Sequence, residues 1–136
     1  MRSIAVALIV GLLPAVASAQ VYRAINHLAV LPISPTDFEV IEAHGEGPRG
    51  MWCAAASYAE ARGIHRDQRL YVKRARGPSV SVAGETGVVF TTDGSEVAGT
   101  AHRSYSVSVR EKGLNLPIHH ASQFCIDYLI EPQDHL

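Results

Sequence analysis

The sequence predicts an α+β fold: one helix packed on a mainly antiparallel sheet of four to six strands, with a single disulfide. Three observations carry this. Met51 to Arg62 (MWCAAASYAEAR) repeats apolar residues at helical spacing. From Arg69 onward the apolar period falls to two, in short half-polar runs divided by turn residues. Cys53 and Cys125 are the only two cysteines in 136 residues.

Residues 20–36 read as a lead-in. Leu28 to Leu31 is apolar, but Pro32 and Pro35 close it, and proline removes a ladder donor, so a central strand is not expected there. Asp37 to Ala43 alternates and is predicted as a strand. His44 to Gly50 is a glycine-rich turn into the helix. In that helix alanine supplies the propensity. Met51, Ala54, Ala55 and Tyr58 share one face, Cys53 is offset toward Ala56 and Glu60, and Gly63 sits where a C-cap glycine belongs. Trp52 and Tyr58 are expected in the core.

Leu70 to Ala75 is the next strand. Val80 and Val82 alternate with serines, Ala83 to Gly87 is a hairpin loop, and Val88 to Thr92 is a strand ended by the Asp93-Gly94 turn. Ser104 to Arg110 alternates most cleanly, with Tyr105, Val107 and Val109 on one face. Residues 113–123 are a loop around Pro117, and Phe124, Ile126, Tyr128 and Ile130 form the last strand. The half-polar alternation favours antiparallel pairing, because parallel strands buried on both faces read as continuous apolar runs.

The N-terminus has its own pattern. Arg2 precedes an apolar run, Ile4 to Leu13; Pro14 breaks it, and Ala17-Ser18-Ala19 precedes Gln20. That is the three-part layout of a secretory signal peptide. The run is shorter than the roughly 20 residues a membrane span needs. The expectation is a signal peptide at 1–19, cleavage before Gln20, and one exported α+β domain at 20–136, periplasmic or secreted. An even cysteine count in an oxidising compartment then reads as a Cys53–Cys125 disulfide.

Composition excludes several classes. Hydrophobic residues make up 47% and charged residues 18%, which suits a folded domain and not a disordered chain, collagen or coiled coil. Two cysteines do not make a disulfide-dense toxin. Lys+Arg 12 against Asp+Glu 13 gives a net charge of −1, with no overall field toward nucleic acid.

Local charge is uneven. Arg62, Arg66, Arg69, Lys73, Arg74 and Arg76 follow an acidic stretch, Asp37, Glu39, Glu42 and Glu46. The two sets are expected to face each other across the sheet. The sharper expectation is that Arg69, Lys73, Arg74 and Arg76 contact an anionic partner, either another envelope protein or an anionic envelope polymer. Nucleic acid fits poorly, since Tyr71 alone offers stacking there.

Gly45-Glu46-Gly47-Pro48-Arg49-Gly50 is a literal G-x-G-x-x-G, with Asp67 about 20 residues on. Pro48 lacks the N–H, Glu46 adds the wrong charge, and hairpins follow instead of βαβ units, so no dinucleotide cofactor is expected. The seven histidines, His27, His44, His65, His102, His119, His120 and His135, show no metal-ligand spacing, and no metal is expected.

The order of a helix-borne Cys53 followed by His102 on a strand resembles the papain-like cell-wall amidases and endopeptidases. That resemblance implies Cys53 as nucleophile, His102 as base and Asn115 or Asp127 orienting the imidazole. His102, however, shares its strand face with Ser104, Ser106 and Ser108, away from the apolar side that meets the helix. The favoured expectation is therefore a small exported binding or accessory protein without catalysis, the alternative being a Cys53-dependent amidase.

Overall fold

The computed structural model describes residues 10–12, 20–100 and 107–129. The chain forms β1 (Tyr22–Arg23), β2 (Ala29–Pro32), β3 (Asp37–Ile41), α1 (Gly47–Ala61), β4 (Arg69–Pro78) and β5 (Thr86–Thr91). A 3-10 turn, Gly94–Val97, precedes β6 (Asn115–Pro117) and α2 (Ile118–Ser122). A second 3-10 turn, Gln123–Cys125, leads into α3 (Ile126–Leu129). The strands make one antiparallel sheet in the order β1-β2-β3-β5-β4-β6. The predicted α+β fold is what forms.

The helix α1 packs on one face of this sheet. Period two sends Phe38 and Val40 of β3, Leu70 and Val72 of β4, and Val88 and Phe90 of β5 to that face, where all are buried. Met51, Trp52, Ala54, Ala55, Ala56, Tyr58 and Ala59 meet them from α1. The small alanines let the helix axis come close to the strands, and the aromatics fill what remains. Tyr22, Tyr58, Phe38, Phe90 and Trp52 touch in series, with centroid separations of 5.5, 4.6, 6.0 and 5.0 Å. The fully buried Trp52 donates its indole N–H to the Val107 carbonyl at 2.8 Å, so its polar atom is satisfied.

Both ends of α1 follow from sequence. Pro48 occupies the first turn, where a missing N–H costs nothing. The helix starts at Gly47, before the expected Met51, because this proline extends it. At the other end Gly63 takes φ +78°; its N–H bonds Glu60 O at 3.0 Å and the Ile64 N–H bonds Ala59 O at 3.1 Å. This is a Schellman closure, with Ile64 packed back on the core.

Several sequence expectations are corrected. The Phe124–Ile130 strand is helical wherever it is described; Ile130 lies outside the described residues. The Ile118 N–H bonds Gln68 O and the His119 N–H bonds Arg66 O, so the chain turns off the sheet directly after Pro117. The alternation there marked no buried face, since Ile126 is 56% exposed. The expected loop around Pro117 contains β6 and α2; β6 is an edge strand, where proline is tolerated. Ala29–Pro32 is a strand, second in the sheet, with Pro32 as its last residue. Val80 and Val82 lie in the loop between β4 and β5. Of the expected Ser104–Arg110 strand, 104–106 lie outside the described residues and 107–110 form no strand, although Val109 O accepts the Arg76 N–H.

Candidate functional site

The face of the sheet opposite α1 is polar. Asp37 and Glu39 alternate out of the core in β3, and Asp37 stands opposite Thr91 while Glu39 stands opposite Val89. Both carboxyls are nevertheless buried, at 5% and 1% exposure, which demands partners.

Glu39 finds them in the β4–β5 loop. Its Oε1 accepts from the Ser79 hydroxyl at 2.6 Å and the Ser81 N–H at 3.0 Å, and its Oε2 from the Val80 N–H at 2.9 Å. Burial opposes the charged form more than any other single influence, but these donors together outweigh it and hold the carboxyl below its ordinary value. Gly87 leaves the room: a Cβ there would lie 2.8 Å from Glu39 Oε2.

Asp37 is met by Lys73, whose ammonium donates to Asp37 Oδ2 and also bridges to Glu96 Oε2 at 2.7 Å. Burial again opposes the charge on Asp37, while hydrogen bonds from Lys73, Thr91 and Thr36 prevail and lower its pKa. The Asp37 and Glu96 carboxylates in turn push Lys73 up to about 12. Asp93 caps the Gly94–Val97 turn through the Ser95 N–H and hydroxyl, which lower its pKa.

The four basic residues singled out in β4 divide accordingly. Arg69 donates its Nε–H to Asn115 Oδ1 at 2.7 Å, joining β4 to β6. Lys73 is committed to Asp37 and Glu96. Arg76 grips Glu42 through Nε and Nη2, the latter at 2.7 Å, and this raises its pKa. Arg74 is exposed and makes no ion pair among the described residues. The expected facing of acidic and basic runs is thus present in Asp37–Lys73 and Glu42–Arg76.

Two further cations, absent from the sequence-based set, stand beside Arg74. The Gly113 N–H bonds Val72 O and the Arg76 N–H bonds Val109 O, so residues 110–112 cross opposite residues 73–75. Arg110 and Lys112 are exposed there and make no ion pair among the described residues. A register shift between Val72 and Arg74 lets Lys73 and Arg74 share this stretch of the strand. The sequence marks Ser104 to Arg110 as a strand but not what lies beside it, which depends on a return of the chain about 35 residues later.

Cys53 and Cys125 are joined, with sulfurs 2.08 Å apart and Cα atoms 5.1 Å apart. The bond ties α1 to the Gln123–Cys125 turn, not to a final strand as the sequence suggested. Its sulfurs carry no thiolate in this form, which removes the nucleophile the amidase alternative requires. His102 lies outside the described residues; Asn115 is occupied by Arg69 and Gly113 O.

The glycine-rich segment is held by the C-terminal helical turns: Tyr128 donates its hydroxyl to Glu46 Oε2, and Arg49 lies 5.6 Å over the Phe124 ring. Asp67 stands 3.6 Å from His65 Nδ1 and 3.8 Å from His119 Nδ1, all three exposed. Among the described residues no three His, Cys, Asp or Glu side chains are grouped to hold a metal ion. Nor is any described helix long and apolar enough to cross a membrane.

No protein-family model, curated protein or solved structure matches this chain.

Proposed function

We propose that this chain is a small exported binding or accessory protein, without catalysis, that engages an anionic envelope partner through Arg74, Arg110 and Lys112. The observation that carries the reading is the division of the cations. Arg69, Lys73 and Arg76 are engaged by Asn115, Asp37 and Glu42 of the same sheet, whereas these three project from neighbouring backbone with no ion pair among the described residues. Unpaired surface cations gathered on one edge raise the local concentration of polyanions and speed their capture.

Export is supported by the signal-like residues 1–19 and by the Cys53–Cys125 bond, a linkage that persists in oxidising compartments. The disulfide also weighs against the amidase alternative. The partner is another envelope protein or an anionic envelope polymer.

Capture from native envelope extract on immobilised protein tests this, with partners identified by mass spectrometry. Joint charge reversal, Arg74→Glu, Arg110→Glu and Lys112→Glu, is expected to lose the captured species while far-ultraviolet circular dichroism stays unchanged. Added salt is expected to elute them from the wild type, since exposed charges are screened over about 8 Å at physiological ionic strength. An identical capture profile for wild type and the reversed variant would refute the reading.

A further inference from the structure

The opposite edge of the sheet has a different character. Between β1 and the outer side of α1 runs a groove in two lobes, of about 440 and 430 Å³. Tyr22 and Ala61 border both lobes. Each volume lies in the range of roughly 300–1,000 Å³ usual for small-molecule sites. Exposed apolar side chains gather here: Val21 at 49%, Ile25 at 36% and Leu129 at 66%. An exposed apolar cluster rimmed by polar residues marks a binding surface.

The polar groups of the lining are mostly spoken for. The Ser57 hydroxyl is shared with the Tyr22 hydroxyl at 3.0 Å and accepts the Ile25 N–H. Glu60 accepts from Ser122 and pairs with Arg66. Arg23 donates to the His27 carbonyl at 3.4 Å. Neither Arg23 nor Arg62 has a carboxylate partner among the described residues. The Tyr58 hydroxyl, in a residue that walls the second lobe, is buried without a hydrogen-bond partner among the described residues. Arg62 lies 5.2 Å over the Tyr58 ring, so its guanidinium stands at that lobe.

The edge strand β1 is only two residues long, too short for an extended peptide to pair along, so the side chains of the lining set the ligand. A ligand with one anionic head and an apolar chain needs only what is left. We propose that the groove binds a single-chain long-chain carboxylate, its head against Arg62 and its chain running past Tyr22 toward Ile25 and Leu129. This site lies at the β1 edge and is independent of the basic edge beside β4.

Calorimetric titration of the purified protein with dodecanoate, below its micelle concentration, tests the proposal. Saturable one-to-one binding is expected. Ala61→Trp, an exposed position bordering both lobes, is expected to abolish it. Arg62→Ala is expected to weaken it about tenfold, the scale of one charge-assisted hydrogen bond. Dodecanol, with the chain but no charge, is expected to bind as weakly as dodecanoate does to Arg62→Ala. The variant reversed at Arg74, Arg110 and Lys112 keeps dodecanoate binding, so the two sites fail or stand separately. Absence of saturable binding, indifference to Ala61→Trp, or equal affinity for dodecanol would each overturn the proposal.

Discussion

Replacing Glu39 by glutamine preserves volume and removes charge from a site whose donors number three. Glu39 Oε1 takes two of them, Ser79 Oγ and Ser81 N, and Oε2 takes Val80 N. Glutamine has one carbonyl oxygen, so its NH₂ must face at least one backbone N–H. A hydrogen bond to a charged group contributes about 1.5–3 kcal/mol, and a stranded buried donor costs about 1–3 kcal/mol. These terms overlap, and Glu39→Gln is expected to lose about 2–4 kcal/mol at pH 7. That is a large part of the roughly 5–15 kcal/mol that stabilises a domain. Urea unfolding followed by Trp52, the one tryptophan and fully buried, reads the loss directly. The pH dependence gives a second check. The folded-state pKa of Glu39 lies below its ordinary 4.5, so the stabilisation is complete above 4.5 and disappears as pH falls through the folded value. The gap between wild type and variant should be flat from neutral pH to near 5 and shrink in more acid solution. Equal stability at pH 7, or a gap that persists unchanged into acid, would show that the loop does not depend on this carboxylate.

Other perturbations have equally direct expectations. Gly87→Ala places a methyl 2.8 Å from Glu39 Oε2 and should cost about 1–3 kcal/mol in the same urea assay. Gly63→Ala, at φ +78°, should lower the unfolding free energy by about 1 kcal/mol without altering helix content by circular dichroism. The double variant Cys53→Ser, Cys125→Ser opens a loop with a sequence separation of 72 and should lose roughly 4 kcal/mol; an unchanged midpoint would contradict it. Lys73→Met removes the cation from Asp37, whose carboxyl pKa should then rise in a ¹³C NMR titration.

What was legible in the sequence was whatever one segment decides by itself. The Ala-rich face, Pro48 and Gly63 are local, and α1 forms where they say. The alternation in β3 and β5 is local too. The failures lie where distant backbone decides. Phe124, Ile126 and Tyr128 alternate as a strand would, but Gln68 O and Arg66 O capture the two N–H groups after Pro117 and turn the chain away from the sheet. Val80 alternates as well, yet its N–H is claimed by Glu39, forty-one residues earlier. The basic run was visible, but which of its members are free depends on Asp37, Glu42 and Asn115, and no periodicity reports that.

The strand order explains why the acidic and basic runs coexist on one face. β3 and β4 are not neighbours; β5, Thr86–Thr91, lies between them and carries no charged residue. Two strand spacings separate the runs by roughly 9–10 Å, so only long side chains bridge them. Lys73 and Arg76 do so, and Arg74 does not. Glu42→Ala should therefore free Arg76 two residues from Arg74 and enlarge the unpaired basic edge. The Arg76–Glu42 pair is solvent-exposed, so stability should fall by no more than about 1 kcal/mol. Retention on a polyanionic column should rise beyond what the change in net charge brings. Asp127→Asn, exposed on α3 and free of ion pairs among the described residues, supplies the same charge change elsewhere. If both variants shift elution equally, only net charge matters and the β4 edge has no special role. If Glu42→Ala shifts it further, and adding Arg76→Ala cancels the excess, the free cations of that edge act as one surface.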